Sequence, residues 1–228
     1  MTKFAPFLLF CSFSSAFGLL GCGSDEAESN PWAGNTYLLQ VAQNNWFKPR
    51  ALANDSLVND IVPDFLIGVA AGSNGALKVT LATSNGTQDL CNPTTEVSAS
   101  NANQPKSLIA ADAFPMRMSQ PDASVFANAT IRDFSLTDIL PGVSPAKSGS
   151  LSAEVDVRDV YTLFTLIPDA SKDSVCASLA QVGAPCAPCS SDGEAYCLTL
   201  EAVDLEAQRV PQSIVPIASG QLDSSCDL

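Results

Sequence analysis

Cysteines constrain this chain more than any other feature, because they can cross-link its folded part covalently. Cys11 and Cys22 lie near the amino terminus, and the other six of the eight are Cys91, Cys176, Cys186, Cys189, Cys197 and Cys226. An even number beyond position 22 is typical of an oxidised, exported domain. Six cysteines allow fifteen pairings, and the sequence does not choose among them. Our working hypothesis is three structural disulfides, with Cys91 joined to Cys226 and the other four paired among themselves.

The first 21 residues have the three zones of an export signal. Lys3 supplies a positive start, Phe4 to Phe17 form an apolar run, and Gly18 to Gly21 form a small-residue approach to Cys22. Interpreted instead as a membrane span, the apolar segment is marginal for a hydrocarbon core of about 30 Å. We therefore expect residues 1–21 to be a signal peptide, with an uncleaved anchor as the alternative.

The residues Leu19-Leu20-Gly21-Cys22 resemble the lipobox of bacterial lipoproteins, in which a branched apolar residue stands three positions before the cysteine. The resemblance implies cleavage after Gly21, a diacylglycerol thioether on Cys22 and an acylated amino terminus, with a lipid bilayer as the partner. Several acyl chains form a stable anchor, because each buried methylene contributes about 0.8 kcal/mol. A free Cys22 thiol would instead leave seven cysteines, one of them unpaired. The alternative is an ordinary secretory signal that ends near a cysteine.

With "WAGNTYLL" at the start of the fold and "CAPCSSDGEAYCLTL" near its end, the chain is similar to uncharacterised envelope lipoproteins of myxobacteria. That similarity implies a location in the cell envelope. In enterobacterial lipoproteins an aspartate after the lipidated cysteine favours the inner membrane. This chain has Gly23 there, so the resemblance favours the outer membrane.

Residues 22–31 are polar and acidic without apolar periodicity, which is typical of a short flexible tether. Residues 32–228 are long enough for one sizeable core, and we expect a single disulfide-bonded β-rich domain, with two small domains as the alternative. The net charge is −13, and loss of Lys3 with the signal would make it more negative. Such a surface repels phosphate backbones and disfavours nucleic-acid binding.

The chain contains no histidine. This absence removes Ser-His-Asp and Cys-His catalysis in their usual forms and every histidine-ligated metal site. An enzyme would have to use carboxylates, lysine, tyrosine or cysteine. We assign no catalytic, cofactor-binding or metal-binding residue, and expect no cofactor.

Residues 36–43 are rich in strand-forming residues, and alternating apolar residues predict further strands at 124–137, 150–157 and 196–203, with a change of phase at Arg132-Asp133 that indicates a bulge. Two apolar runs within Asp64 to Thr83 predict a hairpin around Gly72-Ser73-Asn74-Gly75. Residues 92–112 and 140–149 are interpreted as long loops.

Helical spacing over Val160, Leu163, Phe164 and Ile167, ended by Pro168, predicts one helix, and residues 171–182 a second. Asp156 and Asp159 are placed to serve the start of the first. We therefore expect a mainly β fold: an antiparallel sandwich or partly open barrel with one helical hairpin, about residues 158–182, packed on it.

Three features near the disulfides and the start of the fold suggest chemistry. Cys186-Ala-Pro-Cys189 has redox spacing, but a turn and a strand follow it where a redox motif opens a helix, so structural disulfides are favoured. Asp173, Asp192 and Glu194 are candidate cation ligands, although no calcium-loop pattern is present. Trp32, Tyr37 and Trp46 suggest either a sugar platform or core plugs, of which core plugs are the commoner.

The sequence thus predicts an envelope protein with a non-catalytic binding, surface or structural role, whose partner is a protein, a glycan or a small apolar ligand. A carboxylate-dependent enzyme acting on envelope glycans is the alternative. Paired carboxylates in a deep cleft would favour the enzyme.

Overall fold

The computed structural model describes residues 30–41, 46–49, 62–73, 76–100, 108–119, 125–141, 149–164, 169–222 and 226. Ten strands fall in these ranges: β1 Asn35–Leu39, β2 Trp46–Lys48, β3 Asp64–Ala71, β4 Leu77–Ser84, β5 Thr95–Ser100, β6 Leu108–Ser119, β7 Phe126–Thr137, β8 Gly149–Asp156, β9 Cys197–Leu205 and β10 Gln208–Val210. The predicted signal peptide, Cys22 and the predicted tether up to Ser29 lie outside this part of the chain.

All ten strands form one antiparallel ladder in the order β10-β1-β3-β4-β5-β6-β7-β8-β9-β2. The ladder folds over so that its two halves face each other. Phe65 on β3 packs against Phe134 on β7, with ring centroids 5.6 Å apart, and both side chains belong to one apolar core. The predicted mainly β, antiparallel, sandwich-like fold is confirmed.

Side-chain alternation explains how the strands fill this core. On β7, Ala127, Ala129 and Ile131 are buried, and the register then shifts between Arg132 and Ser135 so that Phe134 and Leu136 also point inward. Asp133 takes a left-handed conformation with φ of 48° at the shift. The bulge predicted from the sequence is therefore present. β3 and β4 pair as the predicted hairpin, and the N–H of Gly72 donates to the carbonyl of Ala76; Asn74 and Gly75 of the predicted loop lie outside the described residues.

The helical hairpin is shorter than predicted. The first helix, α1, is a single turn over Val157–Val160, followed by a 3-10 turn over Tyr161–Leu163. Its N-cap is Asp156, as expected, whereas Asp159 accepts a hydrogen bond from the backbone N–H of Thr130. Ile167 and Pro168 are outside the described ranges. The second helix, α2, covers Lys172–Gln181 and is capped by Ser171.

The prediction of a long loop over residues 92–112 is wrong, because the segment contains β5 and the beginning of β6. Its threonines, serines and alanines alternate only weakly in hydrophobicity, and β5 gains its backbone hydrogen bonds from β4 and β6, its neighbours in the sheet. Neither described helix has the length and apolarity that a bilayer crossing requires.

The carboxyl-terminal strap, residues 211–222, covers the outer surface of β3 and β4. Leu66 and Ala82 point away from the core cluster and are nevertheless buried. Ile214 lies so close to Gly68 that an added Cβ there would be 3.1 Å from its Cδ1. Gln88 binds both backbone polar groups of Val215, with donor–acceptor distances of 2.7 and 2.8 Å. The strap therefore buries a second apolar face of the sheet, on the outer side of β3 and β4.

The strand ends form two opposite rims. We call one the Trp32 rim. It contains the ends of neighbouring strands, as these paired residues show: Asn35 with Val69, Ala71 with Leu77, Ser100 with Leu108, Leu108 with Thr137, Thr137 with Ser150, and Gly149 with Leu205. The indole N–H of Trp32 donates to the carbonyl of Pro141 over 3.1 Å, which ties the β1 and β7 ends of this rim together. At the opposite rim β6 meets β7 at Ser119 and Phe126, and β8 meets β9 at Asp156 and Cys197.

Candidate functional site

Three disulfides lie at the rim opposite Trp32, which we call the disulfide rim. Cys91 is joined to Cys226, Cys176 to Cys186, and Cys189 to Cys197. The first bond closes a separation of 135 residues and fastens the end of the strap to the loop after β4. The pairing hypothesised from the sequence is therefore present in the structure.

The two cysteines of the Cys186-Ala-Pro-Cys189 motif are not bonded to each other. Cys186 is bonded to Cys176 on α2, and Cys189 to the first residue of β9. The backbones of Ala187 and Cys197 also exchange hydrogen bonds of 2.7 and 2.9 Å, so the motif is a paired extension of the sheet edge. This arrangement supports a structural role for both cysteines.

Arg158 organises the surface beside these disulfides. Its guanidinium binds both carboxylate oxygens of the buried Asp156 and lies 2.7 Å from the carboxylate of Asp192. These two carboxylates raise the pKa of Arg158. The Asp192 carboxylate also accepts the N–H of Glu194, and this bond and Arg158 hold the pKa of Asp192 below its usual value. The network ties the 189–197 loop to the start of α1.

Tyr196 connects the same loop to α2. Its hydroxyl donates to Asp173 over 2.7 Å, and this hydrogen bond is the main cause that raises the pKa of Tyr196. The ammonium of Lys172 lies 4.5 Å from the centre of the ring. Asp173 and Asp192 thus bind neighbouring side chains instead of gathering with Glu194 around a common point.

One group of three potential metal-ligand atoms is found among the described residues: Asp156, Cys189 and Cys197. Both sulfurs belong to the same disulfide, and metal ions bind the thiolate form of cysteine. This group is therefore a packing contact between a disulfide and a buried carboxylate.

An open cleft of about 400 Å³ lies beside this rim. Its walls are the edge strand β2 and the segment that follows α2, and its floor is the start of β9; the lining residues are Phe47, Lys48, Pro49, Gly183, Ala184, Pro185, Ala187, Leu198 and Thr199. Ligand pockets in proteins have volumes of roughly 300 to 1,000 Å³. The cleft is therefore large enough for a small organic molecule.

Local structure explains how the walls of this cleft form. Trp46 is 5% exposed and anchors β2 in the core, so the next side chain along the strand, Phe47, points outward and is 51% exposed. On the other side α2 ends at Gln181. Gly183 then turns the chain with a φ of +81°, and the N–H of Ala184 donates to the carbonyl of Leu179. The disulfide at Cys186 then holds this turn against the helix.

The chemistry of the cleft is mainly apolar. None of the described residues that line it is acidic, and Lys48, the charged side chain among them, forms a 2.9 Å ion pair with Glu201. By contrast, two cavities in the packed core, lined by residues such as Phe65 and Met116, each hold about 10 Å³, room for no more than one water molecule.

The remaining sequence candidates fall in different places. Tyr37 and Trp46 are core residues, and Trp32 is partly buried against Pro141, so the three aromatic residues are plugs and not a sugar platform. Cys22 precedes the described residues. The sequence analysis missed the cleft and the role of Arg158. The only local indication of that role was Asp156, which stands two residues before Arg158 at the start of a predicted helix.

No protein-family model matches the chain, and neither a curated protein nor a solved structure matches it.

Proposed function

We propose that this chain is a lipid-anchored protein of the bacterial cell envelope, held in the outer membrane by acylated Cys22, with a non-catalytic binding role. The observation that carries the proposal is the complete pairing of the six cysteines beyond position 22. None of these six is left to form a disulfide with Cys22. A lipobox cysteine without a downstream disulfide partner agrees with lipidation.

The cleft supports a binding role in preference to catalysis. Glycoside hydrolysis requires two carboxyl groups that flank the substrate, and among the lining residues that the structure describes there is neither aspartate nor glutamate. The nearby carboxylates of Asp156 and Asp192 are ion-paired with Arg158. An exposed phenylalanine, two prolines and a leucine instead favour a small apolar ligand.

Replacement of the proposed lipidation site tests the anchor. In the full-length protein Cys22→Ser should abolish metabolic labelling with a fatty-acid probe and move the protein from the membrane to the soluble periplasmic fraction. Cys11→Ser is the matched control, because it removes the other amino-terminal thiol and should change neither result. Unchanged membrane fractionation of the Cys22→Ser protein would mean that an uncleaved segment holds the protein.

A solvent-sensitive apolar dye tests the cleft. Binding of the dye should weaken in Phe47→Ala and persist in Val215→Ala, because Val215 is equally apolar and 58% exposed but lies on the strap. Equal loss in both variants would mean that the dye reports general surface hydrophobicity. Turnover of envelope glycans that is lost in Asp192→Asn, or in Glu154→Gln on β8, where the carboxylate accepts a hydrogen bond from the hydroxyl of Ser190, would instead support the enzyme alternative.

A further inference from the structure

The pairing along the outer edge of β9 is interrupted at the floor of the cleft. Lys48 of β2 pairs with Glu201, and Ala187 pairs with Cys197, so two segments meet this edge from opposite ends of the cleft. Residues 198–200 lie between the two pairs, and the distance from Cys197 to Glu201 along an extended strand is about 14 Å. On the side away from β8, no residue that the structure describes forms a ladder pair with residues 198–200.

The backbone of Thr199 is directed into this gap. In an antiparallel sheet, successive residues direct their N–H and C=O groups alternately to the two neighbouring strands. Cys197 exchanges hydrogen bonds of 2.7 and 2.9 Å with Ala187, on the side away from β8. Two residues farther along, Thr199 has the same orientation, whereas Leu198 and Leu200 are directed to β8. The N–H and the carbonyl of Thr199 therefore both face the cleft.

Two prolines end the segments that flank the gap. Pro49 follows β2 directly, and Pro185 stands two residues before Ala187, at the position that would face Thr199 if the antiparallel pairing continued. Proline has no N–H and cannot donate to the Thr199 carbonyl. Within the described ranges, neither backbone group of Thr199 has a hydrogen-bond partner. One donor and one acceptor are thus open at the floor of the cleft.

We propose that the cleft binds an extended peptide segment, which adds a short antiparallel strand to β9 and exchanges two backbone hydrogen bonds with Thr199. The proposal rests on the binding role proposed for the cleft and names the class of its ligand. Both flanking segments run antiparallel to β9, so the added strand continues their direction. In this mode of recognition, main-chain hydrogen bonds provide affinity and side-chain pockets provide specificity.

The lining of the cleft determines which side chains the peptide carries. Side chains alternate between the two faces of a sheet, and directly opposed residues share a face. The peptide residue opposite Thr199 therefore has its side chain on the exposed face, and its two neighbours are on the face of Leu198, which is buried. Ala184 and Pro185 line the cleft with Leu198. We therefore expect apolar residues at the two flanking positions of the peptide.

Amide exchange, measured by NMR on the full-length protein in detergent micelles, tests the open edge. The N–H of Thr199 should exchange at least about tenfold faster than those of Leu198 and Leu200, which bond to β8. The probe is the blocked peptide acetyl-Val-Ala-Val-amide, and a saturating concentration should slow exchange at Thr199 several-fold. A Thr199 N–H that is already protected without peptide would show that the chain itself fills this edge, and would overturn the proposal.

N-methylated peptides test the hydrogen bonds themselves. Methylation of the alanine nitrogen removes the donor to the Thr199 carbonyl and should weaken binding roughly two- to tenfold. Methylation of the following valine nitrogen is the matched control, because that N–H points away from β9 in the proposed register. Equal losses would mean that the peptide binds through its side chains alone, which contradicts the added strand.

The apolar dye separates this proposal from the binding role on which it rests. Phe47→Ala should weaken binding of both the dye and the peptide, and Val215→Ala, on the strap, should weaken neither. Dye binding that depends on Phe47 in a protein that does not bind the peptide would overturn the peptide proposal alone. If neither probe responds to Phe47→Ala, the binding role of the cleft is contradicted as well.

Discussion

Phe65 and Phe134 pack with their ring centroids 5.6 Å apart, although three strands separate β3 from β7 in the sheet. Phe134 also meets Phe114 edge to face, at 5.1 Å. Phe114 lies on β6, the neighbour of β7, whereas the contact between Phe65 and Phe134 joins the two halves of the folded ladder, because β3 and β7 are not neighbours in the strand order. The facing aromatic rings thus pack the two halves of the continuous sheet against each other as two layers.

We expect Phe134→Ala to be strongly destabilising. The side chain is 1% exposed, and removing a buried phenylalanine typically costs about 3 to 5 kcal/mol. Urea unfolding of a soluble form without residues 1–22 measures the change. Phe47→Ala is the control, because removal of an exposed side chain changes stability by no more than about 0.5 kcal/mol. Similar losses in both variants would contradict the assignment of Phe134 to the core.

The long disulfide should contribute more stability than either short one. In the chain-entropy model, a loop of 135 residues corresponds to about 5 kcal/mol and a loop of 10 residues to about 2.7 kcal/mol. The double variant Cys91→Ser/Cys226→Ser should therefore unfold at lower denaturant than Cys176→Ser/Cys186→Ser. The reverse order would mean that the local bridge stabilises a unit on which the rest of the fold depends.

Thiol counting tests the structural role of the CxxC cysteines. The soluble form, denatured without reductant, should contain no free thiol, since Cys186 and Cys189 each have a partner outside the motif. The native protein should also fail to reduce insulin disulfides. Two thiols at Cys186 and Cys189 that label readily in the native state would revive the redox interpretation.

The Asp192 carboxylate should make stability depend on acid pH. Its folded pKa lies below the ordinary value, so its contribution is present above the unfolded pKa of about 3.9 and is lost as the pH falls through the folded pKa. Asp192→Asn should lower the melting temperature at pH 7, and its difference from wild type should shrink below about pH 4. Asp112→Asn, at an exposed position on β6, serves as the control. A difference that does not vary with pH would exclude the ion pair as its cause.

Gln88 should hold the strap in place. Gln88→Ala removes two hydrogen bonds to the backbone of Val215, so amide exchange at Val215 and proteolysis within residues 211–222 should both accelerate. Gln212→Ala removes a single 3.4 Å contact to Gly86 and should have a smaller effect. Equal protection in the two variants would indicate that the Cys91–Cys226 bond alone fastens the strap.

Strands with strong alternation were predictable, and short or polar strands were not. The pattern of β7, including its bulge, follows from apolar residues that must face one core. β2 and β10 have three residues each, too few to show a period, and they form because β9 and β1 offer free edges. The first predicted helix has the expected apolar residues, but only one α turn and a 3-10 turn form in the described part.

The sequence by itself gives the mainly β class and the prediction of an export signal with a lipobox, because these depend on residues that are close together in the chain. It also gives the even number of six cysteines, which needs only a count. The tertiary structure alone decided which cysteines pair, which side chains Arg158 binds, and where the cleft opens. Those features depend on segments far apart in sequence, and their contacts arise only when the folded ladder brings β2, β9 and the end of α2 together. The same holds for the opposition of the Trp32 and disulfide rims, which follows from strand register and not from local composition.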